Sequence, residues 1–286
     1  FIALKFAITQ IPPMILSGTR YLLAGLVLLG IGRLRREAPP EARLLRLAAL
    51  SGFLLVFANG LVSVSIQWFS SATAAVLVGS VPVWIILLNW WAFERVRPTG
   101  RQAAGIALSL LGIFLLTRSQ AALSHAGKGA ESGLWVASLA IFVAIISWSL
   151  GTLVQRSAGK LRSVFSVSGI QLATGGMIVT FLGLLRNPGF VPDPSKMTWQ
   201  VGTAFLYLVL FGSVISFTAY LWLSARVTPA QVSTYAVVNP LVAVWLGWWI
   251  ADEQINAAMI GCSILVLGGL CLVVFEPRSV PVVETQ

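Results

Sequence analysis

SSATAAVLVGSVPVWIILLNWWAF, the stretch from Ser70 to Phe93, contains 24 residues and no charge. A helix of this length is sufficient to cross the ~30 Å hydrocarbon core of a bilayer. Pro82 lies near the middle of the stretch, where a proline removes a helical hydrogen bond and frees the carbonyl of Val78. The stretch therefore predicts a membrane span with a kink at mid-depth.

The same design occurs a second time, in the stretch VTPAQVSTYAVVNPLVAVWLGWWIA that ends at Ala251. Pro240 lies 158 residues after Pro82, and the tryptophan pairs that end the two stretches are related by the same offset. In other regions of the chain Ser17 aligns with Ser168 at an offset of 151. We therefore predict a duplicated chain, and repeats of this kind are typical of secondary transporters.

The composition indicates a membrane protein. Of 286 residues, 57% are hydrophobic and 10% are charged, against about 25% charged residues in typical soluble proteins. The net charge of +10 does not indicate nucleic-acid binding, because the basic residues cluster in short loops between apolar runs and no basic groove with interleaved aromatic residues occurs. Cys262 and Cys271 lie on opposite faces of one predicted helix, so we expect no disulfide between them.

Hydropathy predicts nine full-length spans, at 14–32, 44–67, 70–93, 102–117, 133–155, 163–185, 199–225, 229–250 and 255–275. Lys5 aligns with Arg156, and the same register places Phe1 on Thr152, well inside the span 133–155, so we expect the first span to continue upstream of Phe1. The fold class expected is an all-α membrane protein with ten helices in two five-helix halves. The predicted units are a first repeat (1–118), a periplasmic linker (119–132), a second repeat (133–275) and a cytoplasmic tail (276–286).

The distribution of Lys and Arg predicts the orientation. Loops on one side contain 13 of the 19 basic residues and loops on the other side contain four. The richer side is expected to face the cytoplasm, together with both termini. Because each half has five spans, the second half enters the membrane upside down, which predicts inverted repeats around a central cavity.

Several stretches resemble one transporter family. FSSATAAVLVGSVPVWIILLNWWAFE and ARVTPAQVSTYAVVNPLVAVWLGWWIADE are each similar to the fourth-span signature of the EamA branch of the drug/metabolite transporter superfamily. Each is followed by a fifth span that contains glycines (GIALSLLG, GCSILVLG), and IPPMILSGTRYLLAGLVLL resembles the second span with its Arg. Within the branch the chain looks most like the YddG-type exporters of amino acids. The resemblance implies ten helices around a central cavity and export of aromatic or neutral amino acids.

The spans contain no acidic residue, since all nine Asp and Glu residues fall outside them. Proton-coupled transporters usually place an Asp, Glu or His in the membrane as a relay, and the one histidine, His125, lies in the predicted periplasmic linker. We therefore expect facilitated transport that is not coupled to protons. No cluster with metal-ligand or hydrolytic spacing occurs, so we expect neither a metal, a cofactor nor an enzymatic activity.

Polar and aromatic residues within the spans are the candidates for a substrate site. Those expected to line the cavity are Asn59, Ser80, Trp84, Trp148, Tyr220, Tyr235 and Asn239. A polar group that faces lipid at mid-depth is costly, which favours a face turned towards protein or a wet cavity. The alternative for the serines is a hydrogen bond to their own helix. The tryptophan pairs at the span ends are interpreted as interfacial anchors.

Two basic residues, Lys5 and Arg20, lie at membrane depth near the periplasmic side. Either could attract a substrate carboxylate, or their long chains could extend to the interface. Pro82 and Pro240 are candidate gating hinges, with a static kink as the alternative.

The function predicted is export of amino acids across a bacterial inner membrane by alternating access. Efflux of drugs or other metabolites, and a lipid scramblase or membrane scaffold, are the alternatives. The expected partners are a small-molecule substrate and the bilayer, and the choice between monomer and homodimer stays open.

Overall fold

A computed structural model of the protein describes residues 1–123, 130–158, 163–191, 193, 197–224, 235–251 and 256–275. Regular structure within these ranges is helical, and they contain no strand. The helices in chain order are α1 (Ile2–Ala7), α2 (Pro13–Leu34), α3 (Ala42–Ser65), α4 (Ser71–Gly79), α5 (Val81–Ala92), α6 (Gly100–Leu123), α7 (Ala130–Arg156), α8 (Val164–Arg186), α9 (Trp199–Val209), a π-helical segment (Leu210–Ile215), α10 (Ser216–Ser224), α11 (Tyr235–Ala251) and α12 (Ala257–Val274).

Eight segments of the described chain are long and apolar enough to cross a membrane. They are Pro13–Leu34, Ala42–Ser65, Ser71–Ala92, Gly100–Arg118, Gly133–Arg156, Val164–Arg186, Trp199–Tyr220 and Ala257–Val274. A further apolar helix, Val237–Ile250, is shorter within the described residues. The multi-span, all-helical class expected from the sequence is therefore confirmed. The start of the predicted span 229–250, the middle of the linker 119–132 with His125, and the tail 276–286 lie outside the described ranges.

The lipid-facing side of a span is visible on α7. Trp135, Leu139 and Phe142 recur at helical spacing and are 74%, 65% and 47% exposed, whereas Ala137 and Ile141 are buried. A soluble protein would place charged residues on the exposed face. The apolar exposure indicates contact with hydrocarbon.

The span that contains Pro82 is broken into two helices. α4 ends at Gly79, Ser80 connects it to α5, and Pro82 is the second residue of α5. A proline is tolerated there because the first turn of a helix makes no intrahelical bond through its N–H groups. The expectation of a free carbonyl at Val78 was wrong: this oxygen accepts a backbone N–H at the tightened end of α4.

The equivalent proline in the second half has a different setting. Pro240 is buried and lies inside α11, which continues on both sides of it. The two prolines therefore have different local structures, although their sequence neighbourhoods are alike. An interior proline still leaves the carbonyl four residues earlier, that of Ala236, without its regular helical donor.

Helices α2 and α8 form the central seam of the structure. A Cβ atom added to Gly18 or Gly25 would lie 2.3 Å from the backbone of Thr180 or Ala173, respectively, and one added to Gly176 would lie 2.3 Å from the nitrogen of Leu22. Residues further along α2 contact residues earlier in α8, so the two helices run antiparallel. Small residues allow this close backbone approach, which is the usual way in which membrane helices associate.

A second glycine seam joins α6 and α12. A Cβ atom on Gly105 would lie 2.6 Å from the carbonyl oxygen of Gly269, and one on Gly112 would lie 2.8 Å from Val266. The hydroxyl of Ser109 donates to the carbonyl of Val266 at 3.2 Å. These residues therefore serve internal packing, whereas Gly261 faces open space.

Candidate functional site

Arg20 is a buried cation in a membrane helix. It lies two turns into α2 and is 3% exposed. Its Nη2 atom donates to the Tyr21 hydroxyl at 3.1 Å and to Oδ1 of Asn59 at 3.2 Å. The guanidinium carbon also lies 4.3 Å from the centre of the Tyr21 ring, within the range of a cation–π interaction. The side chain is therefore held inside the protein.

A polar network on α3 fixes the orientation of Asn59. Its Nδ2 atom donates to the carbonyl of Leu55 at 2.9 Å, which leaves Oδ1 directed towards Arg20. The hydroxyl of Ser63 donates to the Asn59 carbonyl at 2.9 Å and lies 2.8 Å from the hydroxyl of Ser17 on α2. The network connects α2 to α3 and presents a neutral acceptor to the cation.

The π-helical segment Leu210–Ile215 lies against this cation. A Cβ atom on Gly212 would lie 3.7 Å from Nη1 of Arg20, so the guanidinium reaches the backbone of the segment. The hydroxyls of Ser213 and Ser216 each donate to a carbonyl five residues earlier in the chain, at 3.0 and 2.5 Å. π-helical turns are rare and occur frequently at functional sites. The position of this one beside a buried charge makes it part of the candidate site.

Three of the predicted lining residues meet across three helices. The rings of Tyr220 on α10 and Tyr235 on α11 are edge to face, with centroids 6.1 Å apart and an interplanar angle of 90°. The side chain of Tyr235 also lies close to that of Trp148 on α7. Tyr235 is 38% exposed, so the group is not closed off within a core. We call Trp148, Tyr220 and Tyr235 the aromatic cluster.

The remaining predicted residues occupy other positions. The indole of Trp84 packs edge to face on Phe142, at 5.3 Å and 86°, and its Nε1 atom is buried without a partner among the described residues. The buried hydroxyl of Ser80 donates to the Leu77 carbonyl at 2.6 Å and thus bonds to its own helix. Asn239 is exposed on α11, and Lys5 is half-buried at the end of α1.

Sequence reasoning missed Tyr21, Gly212 and the π-helical segment. Adjacent residues do not share a helix face, so Tyr21 did not group with Arg20, yet the long arginine side chain folds back over the ring. The predicted span 199–225 was treated as one regular α-helix, which hid the wider turn. Gly212, which precedes Ser213 and Ser216, was the one sequence feature of that stretch that could have indicated the wider turn.

No group of three or more His, Cys, Asp and Glu side chains that could hold a metal ion occurs in the part of the chain that the structure describes. The polar groups of the candidate site are amide, hydroxyl, indole and guanidinium groups. These groups bind and orient a solute through hydrogen bonds and ring contacts.

The sequence profile of the EamA-like transporter family matches residues 1–118 and 135–275. The chain belongs to the EamA-like transporter family. The match to this EamA-like transporter is interrupted between residues 119 and 134. The superfamily and branch indicated by the fourth-span signatures are thereby confirmed.

Relatives of this EamA-like transporter are also named transporters. The uncharacterized inner membrane transporter YedA of Escherichia coli K12 is 30% identical, over 99% of this chain and 91% of that protein. The S-adenosylmethionine/S-adenosylhomocysteine transporter of Chlamydia trachomatis serovar D is 24% identical, over 92% of this chain and 81% of that protein. A solved crystal structure with 18% identity shares the fold at a TM-score of 0.63 and covers 95% of this chain and 91% of that chain. This EamA-like transporter is therefore a multi-pass membrane transporter, and the likeness to YddG-type exporters stays a prediction.

Proposed function

We propose that this EamA-like transporter exports aromatic or neutral amino acids across a bacterial inner membrane. The observation that carries the proposal is the aromatic cluster, because it brings two phenol groups and one indole together from α7, α10 and α11. Aromatic rings bind apolar and aromatic side chains, while hydroxyl and indole N–H groups orient the polar end of a ligand. Arg20 and Asn59 supply further polar groups within the spans.

The proposed mechanism is alternating access between two inverted five-helix halves. The pattern of helix contacts supports it. If α1, α2 and α3 are equivalent to α7, α8 and α9, the contact of α3 with α7 corresponds to that of α9 with α1, and the contact of α3 with α8 corresponds to that of α9 with α2. The antiparallel course of α2 and α8, which occupy equivalent places in the two halves, is also what a two-fold axis in the membrane plane requires. The orientation follows from the loop charges, with both termini in the cytoplasm.

The proposed transport is facilitated, because no acidic residue lies in the spans. A zwitterionic substrate would then move down its own gradient without a proton. A reconstituted vesicle tests this directly. Counterflow of a labelled amino acid should be the same with and without an ionophore that collapses the proton gradient, and abolition of counterflow by the ionophore would contradict the facilitated mechanism.

The test of the substrate is counterflow in proteoliposomes with a panel of single amino acids. We expect labelled phenylalanine, tryptophan or leucine to exchange, and Trp148→Ala to reduce the exchange at least tenfold, because truncation removes the cluster contact on α7. Trp135→Ala is the matched control, since Trp135 lies on the same helix and is 74% exposed. Equal exchange in both variants would contradict a substrate role for the cluster.

A second candidate substrate is a nucleoside-linked amino acid. The observation that favours it is the 24% identity to the S-adenosylmethionine/S-adenosylhomocysteine transporter of Chlamydia trachomatis. Aromatic rings also stack on purine bases. Adding S-adenosylmethionine to the same panel separates the candidates, because competition by it alone would favour the second and competition by free amino acids the first.

A further inference from the structure

Among the residues that the structure describes, none supplies a counter-ion for the positive charge of Arg20. The side chain is 3% exposed, and no carboxylate of the described residues forms an ion pair with it. The nine acidic residues of the chain all lie outside the predicted spans. A charge buried without compensation costs several kcal/mol, and charged residues inside membrane proteins are usually tied to function. Arg20 therefore needs an anion from elsewhere.

Some N–H groups of the Arg20 guanidinium remain available to donate hydrogen bonds to such an anion. A guanidinium group has five N–H donors and no acceptor. The bonds that the structure gives Arg20 both leave from Nη2, and both end on neutral oxygens. The Nε atom is buried and has no partner among the described residues. A guanidinium with free N–H groups matches the planar, two-oxygen geometry of a carboxylate.

The π-helical segment presents backbone, and no acidic side chain, to the other side of the guanidinium. Gly212 has no side chain to cover the Nη1 atom, from which even an added Cβ atom would be 3.7 Å away. The hydroxyl of Ser213 is turned to its own helix, at 3.0 Å from the Leu208 carbonyl, and does not compete for the cation. The part of this segment that lies against Arg20 is therefore backbone.

The second half of the chain has no equivalent charge. Gln171 aligns with Arg20 at the offset of 151 that relates Ser17 to Ser168. It is 1% exposed, and its Nε2 atom donates to the hydroxyl of Ser51 at 2.8 Å. A buried glutamine is therefore accommodated at the equivalent position of α8, and the charge is specific to one side of the repeat.

We propose that Arg20, held in place by Asn59 and Tyr21, binds the carboxylate of the transported solute, which serves as the mobile counter-ion of Arg20. The proposal rests on the proposed function, since it takes the solute to be the anion that enters. It adds a selection rule: a carboxylate binds, and the same molecule with a neutral amide in its place does not. The subsite also fixes which end of the solute faces α2.

The test compares matched ligands on the purified, full-length protein. Phenylalanine, phenylalaninamide, 3-phenylpropionate and phenethylamine share one ring and differ in their charged groups. Binding constants measured from ligand-induced thermal shifts should favour phenylalanine over phenylalaninamide, and 3-phenylpropionate over phenethylamine, by at least tenfold. Arg20→Gln, which introduces the side chain that α8 already buries, should reduce both ratios to about one. Arg186→Gln, at the exposed end of α8, removes a charge elsewhere and should leave the ratios unchanged.

Asn59→Asp separates a binding role of Arg20 from a structural one. The new carboxylate would replace an amide oxygen that is 3.2 Å from Nη2 and would give Arg20 a permanent counter-ion. If Arg20 binds the carboxylate, this variant should fold, be more heat-stable than the wild type, and no longer prefer phenylalanine over phenylalaninamide. A purely structural contact between α2 and α3 predicts the same gain in stability with ligand ratios like those of the wild type, which would overturn the proposal.

The outcomes distinguish the subsite from the proposed function. If amino acids fail to bind but 3-phenylpropionate binds in a way that Arg20→Gln abolishes, the subsite stands and amino-acid export is wrong. If amino acids bind with unchanged ratios in Arg20→Gln and Asn59→Asp, the export proposal stands and the subsite is wrong. Equal binding of the carboxylates and their neutral counterparts to the wild type, or no binding of any carboxylate, overturns the subsite without a variant.

Discussion

The carboxylate of Glu37 holds the start of α8. Its Oε2 atom accepts hydrogen bonds from the backbone N–H of Ser166 at 2.7 Å and from the hydroxyl of the same residue at 2.8 Å, while Oε1 accepts from the N–H of Phe165 at 3.2 Å. The first N–H groups of a helix have no partner within it, and a negative charge there is favoured by the helix dipole. The loop after α2 thus caps a helix of the other half.

We expect Glu37→Gln to destabilise the protein by about 1–2 kcal/mol, because it removes the charge and one of the two acceptor oxygens. The measurement is thermal unfolding of the purified protein. Glu41→Gln is the control, since Glu41 precedes α3 but its side chain forms no capping bond. An equal shift in the two variants would mean that the cap does not contribute.

The central seam predicts a contrast between two glycines of one helix. A Cβ atom on Gly25 would lie 2.3 Å from the nitrogen of Ala173, whereas one on Gly30 would meet nothing within 4 Å. We expect Gly25→Ala to cost about 1–3 kcal/mol by forcing α2 and α8 apart. Gly30→Ala should be neutral or slightly stabilising, because alanine is the better helix former. Thermal unfolding and folded yield of the two variants measure the contrast, and similar losses in both would contradict the seam.

We expect substitution by alanine to have different effects at Pro82 and at Pro240. Pro82→Ala supplies an N–H at a helix break, so α4 and α5 can join through Ser80, whereas Pro240→Ala repairs a helix that is already continuous. If the prolines are hinges, each variant should favour a different one of the inward-open and outward-open states. Labelling of a cysteine introduced at Asn239 from each side of the membrane measures this.

Pro98→Ala, in the loop before α6, is the control for these variants and should label as the parent protein does. Identical labelling of the two hinge variants and the parent would show that the prolines only shape the helices.

The predicted orientation can be checked at the two ends of α8. Ser157 precedes this helix and Val191 follows it, and both are exposed. In a background without Cys262 and Cys271, an impermeant thiol reagent added to the periplasmic side should label Val191→Cys and not Ser157→Cys. The reverse pattern would overturn the orientation deduced from loop charges.

The sequence predicted the spans because they depend on a property that is visible along the chain. Long apolar runs must become helices in a bilayer, since their backbone groups have no other partners. Tyr220 and Tyr235 were predicted to line the cavity because polar aromatic residues in mid-span are costly to expose to lipid, and that role stays a prediction. Their meeting at 6.1 Å is consistent with that reasoning.

The structure was needed where tertiary contacts choose between local alternatives. The sequence located Pro82, but whether its span kinks as one helix or breaks at Ser80 depends on packing. Likewise, a hydroxyl at Ser213 can bond to a carbonyl four or five residues earlier, and here the π-helical turn selects the fifth. The cap by Glu37 joins residues 129 apart in the chain, which no local pattern indicates.

The glycine face of α2 has a consequence for biosynthesis. Gly183 on α8 packs against Ile15 on α2, and the ribosome adds Gly183 to the chain 168 residues after Ile15. At ~5–20 residues per second, translation leaves α2 in the bilayer for roughly 10 to 30 s before α8 emerges. During that interval the nascent chain exposes a smooth, small-residue surface that any other membrane helix can contact. Faithful assembly of the two halves therefore depends on how quickly the ribosome delivers the second one, and slow translation between α3 and α8 should increase premature degradation.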